Sequence, residues 1–270
     1  NKSVDYNNIA DLDKIDRFYI KCIKKIIKKN KNAYFMRYNE HNLKHFNLRK
    51  YHILSANKYQ IYNLLNNKFE IREKLKNITN ILHYDYIRGK RNIKNYLLNH
   101  WKTENCDFVL QEKFGFAGTN TYIFTKNNYT RQLKKLKKFT TYCISVLQKN
   151  VQPLNIHLFI QNDHIEYFTP SQQVINTNNN QMNYDGALFN LSKSIENQIV
   201  NEAKKIGQFL LNIGYQGVLG IDFILSNNVL YFMEINARFQ SSTAKLNKML
   251  LLNGEDSLFD RQLNLLLSLK

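Results

Sequence analysis

Three polar side chains alternate with apolar ones in the stretch YFMEINARFQ, residues 231–240. Because the side chains of a strand alternate between its two faces, Glu234, Asn236 and Arg238 are predicted to share one face. A buried row of a carboxylate, an amide and a guanidinium is unfavourable unless a charged partner lies against it. The spacing therefore raises the question of what that partner is.

Asp222 supplies part of the answer, because it lies on the strand predicted just before this row. A turn at 226–228 would pair the two strands and place Asp222 opposite Glu234 or one diagonal from it. Two carboxylates that close repel each other unless a cation lies between them. With the amide oxygen of Asn236 they form an all-oxygen set that suits Mg²⁺, and Arg238 would meet an anion beside the metal. A solvated sheet face with the same residue types is the alternative.

The elements that must position these residues follow from the hydrophobic period. Helical spacing predicts helices over 16–32, 57–78, 131–142, 193–212 (ended by Gly214) and 243–270. A period of two predicts a strand at 33–39 and hairpins over 106–125, 155–170 and 217–236. An Asn-rich loop is expected near 176–183. The pattern predicts an α+β fold with mostly antiparallel strand pairs.

Composition narrows the class of protein. The 270 residues are 43% hydrophobic, which is typical of a folded globule. No apolar run approaches the roughly 20 residues that span a bilayer, and the first residues lack a signal core, so no membrane partner is expected. A net charge of +18 could attract nucleic acid or an acidic partner, or could reflect a Lys- and Asn-rich composition. The amphipathic 16–32 helix is expected to pack one face with its lysines in solvent, and the alternative is that it lies on an anionic membrane.

The cysteines indicate the compartment. Cys22, Cys106 and Cys143 are odd in number and widely spaced, without a C-x-x-C pattern. Such spacing favours reduced thiols over a disulfide framework or a zinc site. We therefore expect a cytoplasmic protein.

The stretches GYQGVLGIDFIL and LYFMEINARFQ resemble the closing signature of the ATP-grasp superfamily, especially its biotin-carboxylase-like members. The resemblance covers about 60–250 and implies two α+β subdomains that grip ATP. It places Asp222, Glu234 and Asn236 at the Mg²⁺ (or Mn²⁺) ligands. It places Arg238 at the catalytic arginine that steadies the substrate or its acyl phosphate.

Further segments fit the resemblance less specifically. NNKFEIREKL, 66–75, places Lys68 on an ATP phosphate, although Lys68 could be a surface lysine. FVLQEKFGFAGTNTY resembles the lid hairpin whose glycines let backbone N–H groups approach phosphate; an ordinary hairpin is the alternative. Many members carry a lysine where this chain has Gln111, and Lys113, on the same predicted strand face, could replace it. The lid residues implied are Gln111, Lys113, Gly115, Gly118 and Thr119.

SVLQKNVQP, 145–153, stands at the hinge that binds adenine, largely through its backbone, in these enzymes. The implied hinge residues are Gln148, Lys149 and Val151. Gln172 or Gln173, Asn155 and His157 could face the nucleotide. For His157, a hydrogen-bonded and partly buried structural role is the alternative to catalysis.

The resemblance also implies domains and an activity. We expect a shortened N-terminal region at 1–59, a large ATP-grasp subdomain at 60–105 and 149–270, and a lid at 106–148. The implied activity is Mg-dependent, ATP-driven amide or peptide bond formation through an acyl phosphate. Its partners would be small-molecule or peptide carboxylates and amines, and the oligomeric state is left open, with a homodimer compatible.

Two alternatives stay open. The first is acyl transfer to a carrier thiol, or carboxylation, although Ser241 and Ser242 stand where biotin carboxylases have a histidine. The second is a basic protein with a vestigial ATP site that binds nucleic acid or an acidic partner. Salt-dependent nucleic-acid binding without Mg-dependent ATP binding would favour the second alternative.

Overall fold

The computed structural model describes residues 9–36, 47, 50–115, 120–178 and 181–269. The helices of this part of the chain are α1 Ile9–Lys29, α2 Tyr59–Asn66, α3 Lys68–Leu75, α4 Lys90–Thr103, α5 Tyr129–Lys135, α6 Lys193–Asn212, α7 Thr243–Leu252 and α8 Leu258–Ser268. The strands are β1 Phe35–Met36, β2 Ile53–Leu54, β3 Asp85–Arg88, β4 Phe108–Gln111, β5 Thr121–Phe124, β6 Thr141–Val146, β7 Gln152–Gln161, β8 His164–Tyr167, β9 Ser171–Asn178, β10 Gln181–Leu188, β11 Gly217–Ser226 and β12 Val229–Asn236.

Two antiparallel sheets dominate the molecule. The large sheet has six strands in the order β10-β9-β7-β11-β12, with β8 paired to β7, and the small sheet has the order β3-β6-β4-β5. A short parallel pair, β1 with β2, lies apart from both. The prediction of an α+β fold with mostly antiparallel pairs is confirmed.

Apolar residues cover both faces of the large sheet. On one face, α2, α3 and α6 pack against alternate residues of β7 and β11, such as Ile156 and Ile221. On the other face, α7 and α8 pack against the residues between them, such as Phe159 and Val218. The small sheet is covered separately by α4, whose Ile93 and Leu97 are fully buried. Each sheet therefore has its own core.

The core of the small sheet includes segments that lie outside the predicted lid. The predicted lid, 106–148, contains β4, β5, α5 and β6, but β3 pairs with β6 and α4 packs in the same small core. Residues 85–103 therefore belong structurally with the small sheet. The expected boundary at 106 follows the change in period, which does not show that β3 pairs with a strand more than fifty residues away.

Several predicted elements are confirmed with small shifts in their ends. Helix 193–212 and the hairpins at 106–125, 155–170 and 217–236 are present. The last hairpin turns at Asn227 and Asn228, whose φ angles are 49° and 61°, as a tight hairpin turn requires. Gly214 follows α6 with φ 76°, the left-handed conformation that ends helices. Of the strand expected at 33–39, Phe35–Met36 is present and the remainder lies outside the described residues.

Other predictions were wrong in detail. The helix expected over 57–78 is two helices, because Asn67 is extended (φ −84°, ψ 94°) and caps α3 by accepting from the Glu70 N–H. The helix expected over 131–142 ends at Lys135, and β6 begins at Thr141. Most of the Asn-rich stretch 176–183 belongs to the paired strands β9 and β10. The tail at 243–270 is broken at Gly254, whose φ is 76°.

Among the described residues no helix is long and apolar enough to cross a membrane. Cys22, Cys106 and Cys143 are free thiols rather than partners in a disulfide.

Candidate functional site

The paired carboxylates lie on adjacent strands at the edge of the large sheet. Asp222 of β11 is the direct partner of Glu234 of β12, as the sequence predicts, and a bulge follows this pair. The Nδ2 of Asn236 donates to Asp222 Oδ2 over 2.8 Å and lies 3.4 Å from Glu234 Oε1. Both acids and the amide are thus within one hydrogen-bonded group.

Arg238 completes the polar row, though not as a strand residue. The strand β12 ends at Asn236, and the Arg238 Nη2 folds back to donate to Asn236 Oδ1 over 3.0 Å. The Arg238 Nη1 donates to the carbonyl of Phe239 over 2.9 Å. Asn236 therefore joins the guanidinium to the carboxylate pair.

Lys68 reaches the same group from α3. Its Nζ lies 2.6 Å from Glu234 Oε2, and its side chain is 10% exposed. Its backbone N–H donates to the carbonyl of Lys113 over 2.9 Å, which ties the start of α3 to the segment after β4. The sequence predicts Lys68 in the site but not its contact with Glu234, which spans more than 160 residues of chain.

Three amide side chains hold Asp222 from the other side. The Nδ2 of Asn155, the Nε2 of Gln173 and the Nε2 of Gln240 donate to its Oδ1 over 2.7, 3.0 and 3.2 Å. Asn155 also donates to Gln240 Oε1 over 2.7 Å. Gln240 was not predicted as a site residue, although it ends the stretch 231–240, because it follows the alternating row that closes at Arg238. Gly220 makes room for it, since a Cβ there would lie 1.8 Å from Gln240 Oε1.

The pKa values of the two acids shift in opposite directions. Burial and the nearby charge of Glu234 raise the pKa of Asp222 to about 6, although its amide donors and Arg238 oppose the rise. Burial would also raise the pKa of Glu234, but the charge and hydrogen bond of Lys68 outweigh it and hold that pKa below its ordinary value. The repulsion between the two carboxylates is therefore offset in part by Lys68, by Arg238 and by the amide donors to Asp222.

Asn155 and His157 are both fully buried on β7. Asn155 positions Asp222. The His157 Nε2 lies 3.0 Å from Thr243 Oγ1 and 3.4 Å from Ser242 Oγ, which agrees with the structural alternative for this histidine. Its Nδ1 has no partner among the described residues.

The lid residues are only partly described. Gln111 ends β4 and accepts a hydrogen bond of 2.6 Å from Arg72 Nη2. Lys113 lies beyond the strand, so the same-face argument does not apply to it, and its Nζ lies 5.3 Å from the centre of the Phe114 ring. Gly115 begins the predicted loop, whereas Gly118 and Thr119 lie outside the described residues.

The residues predicted for the hinge lie between β6 of the small sheet and β7 of the large sheet, where the chain passes from one sheet to the other. Gln148 Nε2 is 3.4 Å from the carbonyl of Val146, and Lys149 Nζ is 3.4 Å from Asp107 Oδ2. Val151 is partly buried just before β7. On β9, Gln173 contacts Asp222, whereas Gln172 Oε1 accepts from Gln152 Nε2 over 2.8 Å.

The donor set fits a hard divalent cation that keeps water and phosphate among its ligands. Two opposed carboxylates and an amide are available, and all are oxygen donors once the Asn236 amide presents its oxygen. No group of three or more His, Cys, Asp or Glu side chains in the described part of the chain could hold a metal. A cation held by Asp222, Glu234 and Asn236 would complete its coordination with water or with oxygens of a bound ligand.

Comparison with known proteins agrees with this geometry. The family model for the ATP-grasp domain matches residues 55–242. No curated protein matches the chain. The biotin carboxylase domain of Hydrogenobacter thermophilus 2-oxoglutarate carboxylase, solved with MgADP and bicarbonate, is 13% identical with a TM-score of 0.66, over 90% of this chain and 55% of that one.

Two further solved structures are similar. Carboxyaminoimidazole ribonucleotide synthase from Aspergillus clavatus, solved with ATP, is 17% identical with a TM-score of 0.61, over 80% of this chain and 54% of that one. D-alanine–D-alanine ligase from Helicobacter pylori is 17% identical with a TM-score of 0.57, over 83% and 67% respectively. The chain spans about half of the carboxyaminoimidazole ribonucleotide synthases that it matches, between 49% and 55% of their lengths. At these identities the structures establish the fold, and the match of the domain model over most of the sequence shows that the chain belongs to the ATP-grasp family.

Proposed function

We propose that the protein is an ATP-dependent carboxylate–amine ligase that forms an amide through an acyl phosphate. The observation that carries the proposal is the direct pairing of Asp222 with Glu234, with Lys68 2.6 Å from the second acid. This arrangement brings groups that can bind a divalent cation and groups that can bind a polyphosphate into one cluster of side chains.

Asp222, Glu234 and Asn236 would hold Mg²⁺, which would neutralise phosphate oxygens of bound ATP. Lys68 lies beside these residues on α3 and would bind a phosphate oxygen as well. The hydrogen bonds from Asn155, Gln173 and Gln240 fix the rotamer of Asp222, so that its Oδ2 is held toward Asn236.

In the first step, a substrate carboxylate oxygen attacks the γ-phosphorus and the bond to ADP breaks. In the second, an amine nitrogen attacks the acyl carbon, the bond to phosphate breaks, and the amine loses a proton. Arg238 would bind the acyl phosphate oxygens, and its position beside Asn236 after the end of β12 supports this role. The lid loop that begins at Gly115 would exclude water, which would otherwise hydrolyse the acyl phosphate.

An observation at the end of the site favours amide formation over carboxylation. Ser241 and Ser242 stand where the biotin-carboxylase resemblance places a histidine. Ser241 is exposed, and Ser242 is 2% exposed and directs its hydroxyl to Asn155 and His157. A serine hydroxyl is not a base at neutral pH, so neither residue replaces the histidine in that role.

ADP release with a panel of carboxylates and amines tests the proposal, with hydroxylamine as a trapping nucleophile and with bicarbonate and thiol acceptors as separate arms. At least one acid is expected to give Mg-dependent ADP release and a hydroxamate. Glu234→Gln should lower the rate by about a hundredfold or more, because it removes a ligand charge in the reacting centre. The exposed Glu255→Gln is the matched control and should leave the rate unchanged.

Equal rates for the wild type and Glu234→Gln would overturn the mechanism. Product formation only with bicarbonate or only with a thiol would move the protein to one of the alternative reactions.

A further inference from the structure

Helix α3 lies between the two sheets and presents a cation to each. Lys68 and Arg72 are four residues apart and so lie on the same face of the helix. Both are buried, with 8% and 6% of their surface exposed. Lys68 contacts Glu234 of the large sheet. Arg72 instead contacts β4 and β6 of the small sheet.

The contacts of Arg72 are neutral. Its Nη2 donates to Gln111 Oε1 over 2.6 Å, and its Nη1 lies 3.2 Å from Cys143 Sγ. Burial raises the pKa of the Cys143 thiol despite the charge of Arg72, so this sulfur is not a compensating thiolate at neutral pH. A guanidinium has five N–H donors, and these two bonds use only part of them.

No carboxylate forms an ion pair with Arg72 among the described residues. Besides burial, the charges of Asp85 and Glu73 raise the pKa of the Cys143 thiol, and both carboxylates have other partners. Glu73 accepts from Lys76 and Tyr84. Asp85 accepts from Tyr96 over 2.8 Å. Lys68 has Glu234 as its counter-ion, so Arg72 is the cation of this helix face that lacks one within the described part of the chain.

A buried cation without an anion destabilises the fold unless a ligand supplies the missing charge. We propose that Arg72 is a second phosphate-binding residue of the nucleotide site, supplying from α3 the positive charge that Gln111 of β4 does not carry. Gln111 then acts as a positioning residue, because its amide oxygen holds the guanidinium in place. The ligand class is a nucleoside triphosphate, and the inference rests on the proposed ATP site.

Two variants test the inference by calorimetric titration with Mg-ATP and with adenosine. Arg72→Gln removes the charge. Gln111→Glu keeps Arg72 and supplies it with an internal anion of the same shape. Each should weaken Mg-ATP binding by about ten- to a hundredfold, which is the usual effect of one charge-assisted contact. Adenosine binding should change little, because adenosine has no phosphate.

The control is Arg88→Gln, which removes an exposed arginine of β3 in the same small sheet and should leave both affinities unchanged. Thermal unfolding of the ligand-free proteins separates a binding role from a structural one. Gln111→Glu should raise the unfolding midpoint, because it pairs a buried charge, while it weakens Mg-ATP binding.

Unchanged Mg-ATP affinity in Gln111→Glu, or an equal loss of adenosine and Mg-ATP affinity in both variants, would overturn the role of Arg72. The Gln111→Glu result decides the question even where Arg72→Gln does not fold. A wild-type protein that does not bind Mg-ATP would overturn the proposed function itself.

Discussion

His157 makes stability sensitive to acid in a way that can be worked out from its surroundings. The ring is fully buried, and burial lowers its pKa from 6.5 to about 4. Between these values the unfolded chain binds a proton that the folded protein excludes, so stability is complete above pH 6.5 and falls as the pH is lowered. The full loss is about 3 kcal/mol, at 1.36 kcal/mol for each pH unit of difference.

The measurement is urea unfolding of the wild type and His157→Gln at pH 7 and at pH 4.5. Other groups titrate over this interval, so the quantity that matters is the difference between the two proteins in the stability lost. We expect the wild type to lose about 2 kcal/mol more than the variant by pH 4.5. His164→Gln is the matched control, because His164 is exposed in the neighbouring strand β8 and should leave the wild-type pH dependence unchanged.

The variant is expected to be less stable than the wild type at pH 7, since a glutamine does not fill the volume of the ring. That constant loss does not affect the comparison. Parallel losses in wild type and His157→Gln would refute the reasoning, because they would mean that the buried ring does not resist protonation. A loss of stability at low pH that occurs in His164→Gln and not in the wild type would refute the reasoning equally.

Two further predictions concern the residues that shape the site. Gly220→Ala should lower both the unfolding midpoint and the Mg-ATP affinity, because the new Cβ would displace Gln240 from Asp222. Gly186→Ala is the control and should change neither, because nothing lies within 4 Å of its new Cβ. Equal effects of the two substitutions would contradict the packing argument. Asn67→Ala should cost about 1 kcal/mol in urea unfolding, because Asn67 caps the start of α3; an unchanged stability would show that the cap contributes nothing.

The sequence predicts most of the local geometry of the site because that geometry depends on local periods. Alternation places Glu234 and Asn236 on one face, and the Asn227-Asn228 turn pairs the two strands as far as Phe223 and Phe232. These are short-range relations, set by a two-residue period and a tight turn. The bulge after Asp222 then shifts the register by one residue and brings Asp222 opposite Glu234, and the period and the turn alone do not predict it.

The contacts that were missed join distant segments. Arg72 meets Gln111 across 39 residues, and Asn155 meets Gln240 across 85. No local period carries this information, since it depends on how α3, β7 and the segment after β12 pack in three dimensions. The break at Asn67 was missed for a related reason: apolar residues continue at helical spacing on both sides of it, and only its cap geometry separates the helices.

The charged groups of the site are the acid pair Asp222 and Glu234 and the guanidinium of Arg72. Neither a metal alone nor a phosphate alone would neutralise all of them. The large sheet presents two carboxylates, of which only Glu234 has a lysine partner. The helix between the sheets presents Arg72 toward the small sheet, where its partners are neutral. A cation bound at Asp222 would still leave Arg72 uncompensated, and a phosphate at Arg72 would still leave the acid pair repelling. A divalent cation carried by a polyphosphate would supply charge of both signs, the cation at the acid pair and the phosphate at Arg72, as the proposed ATP site requires.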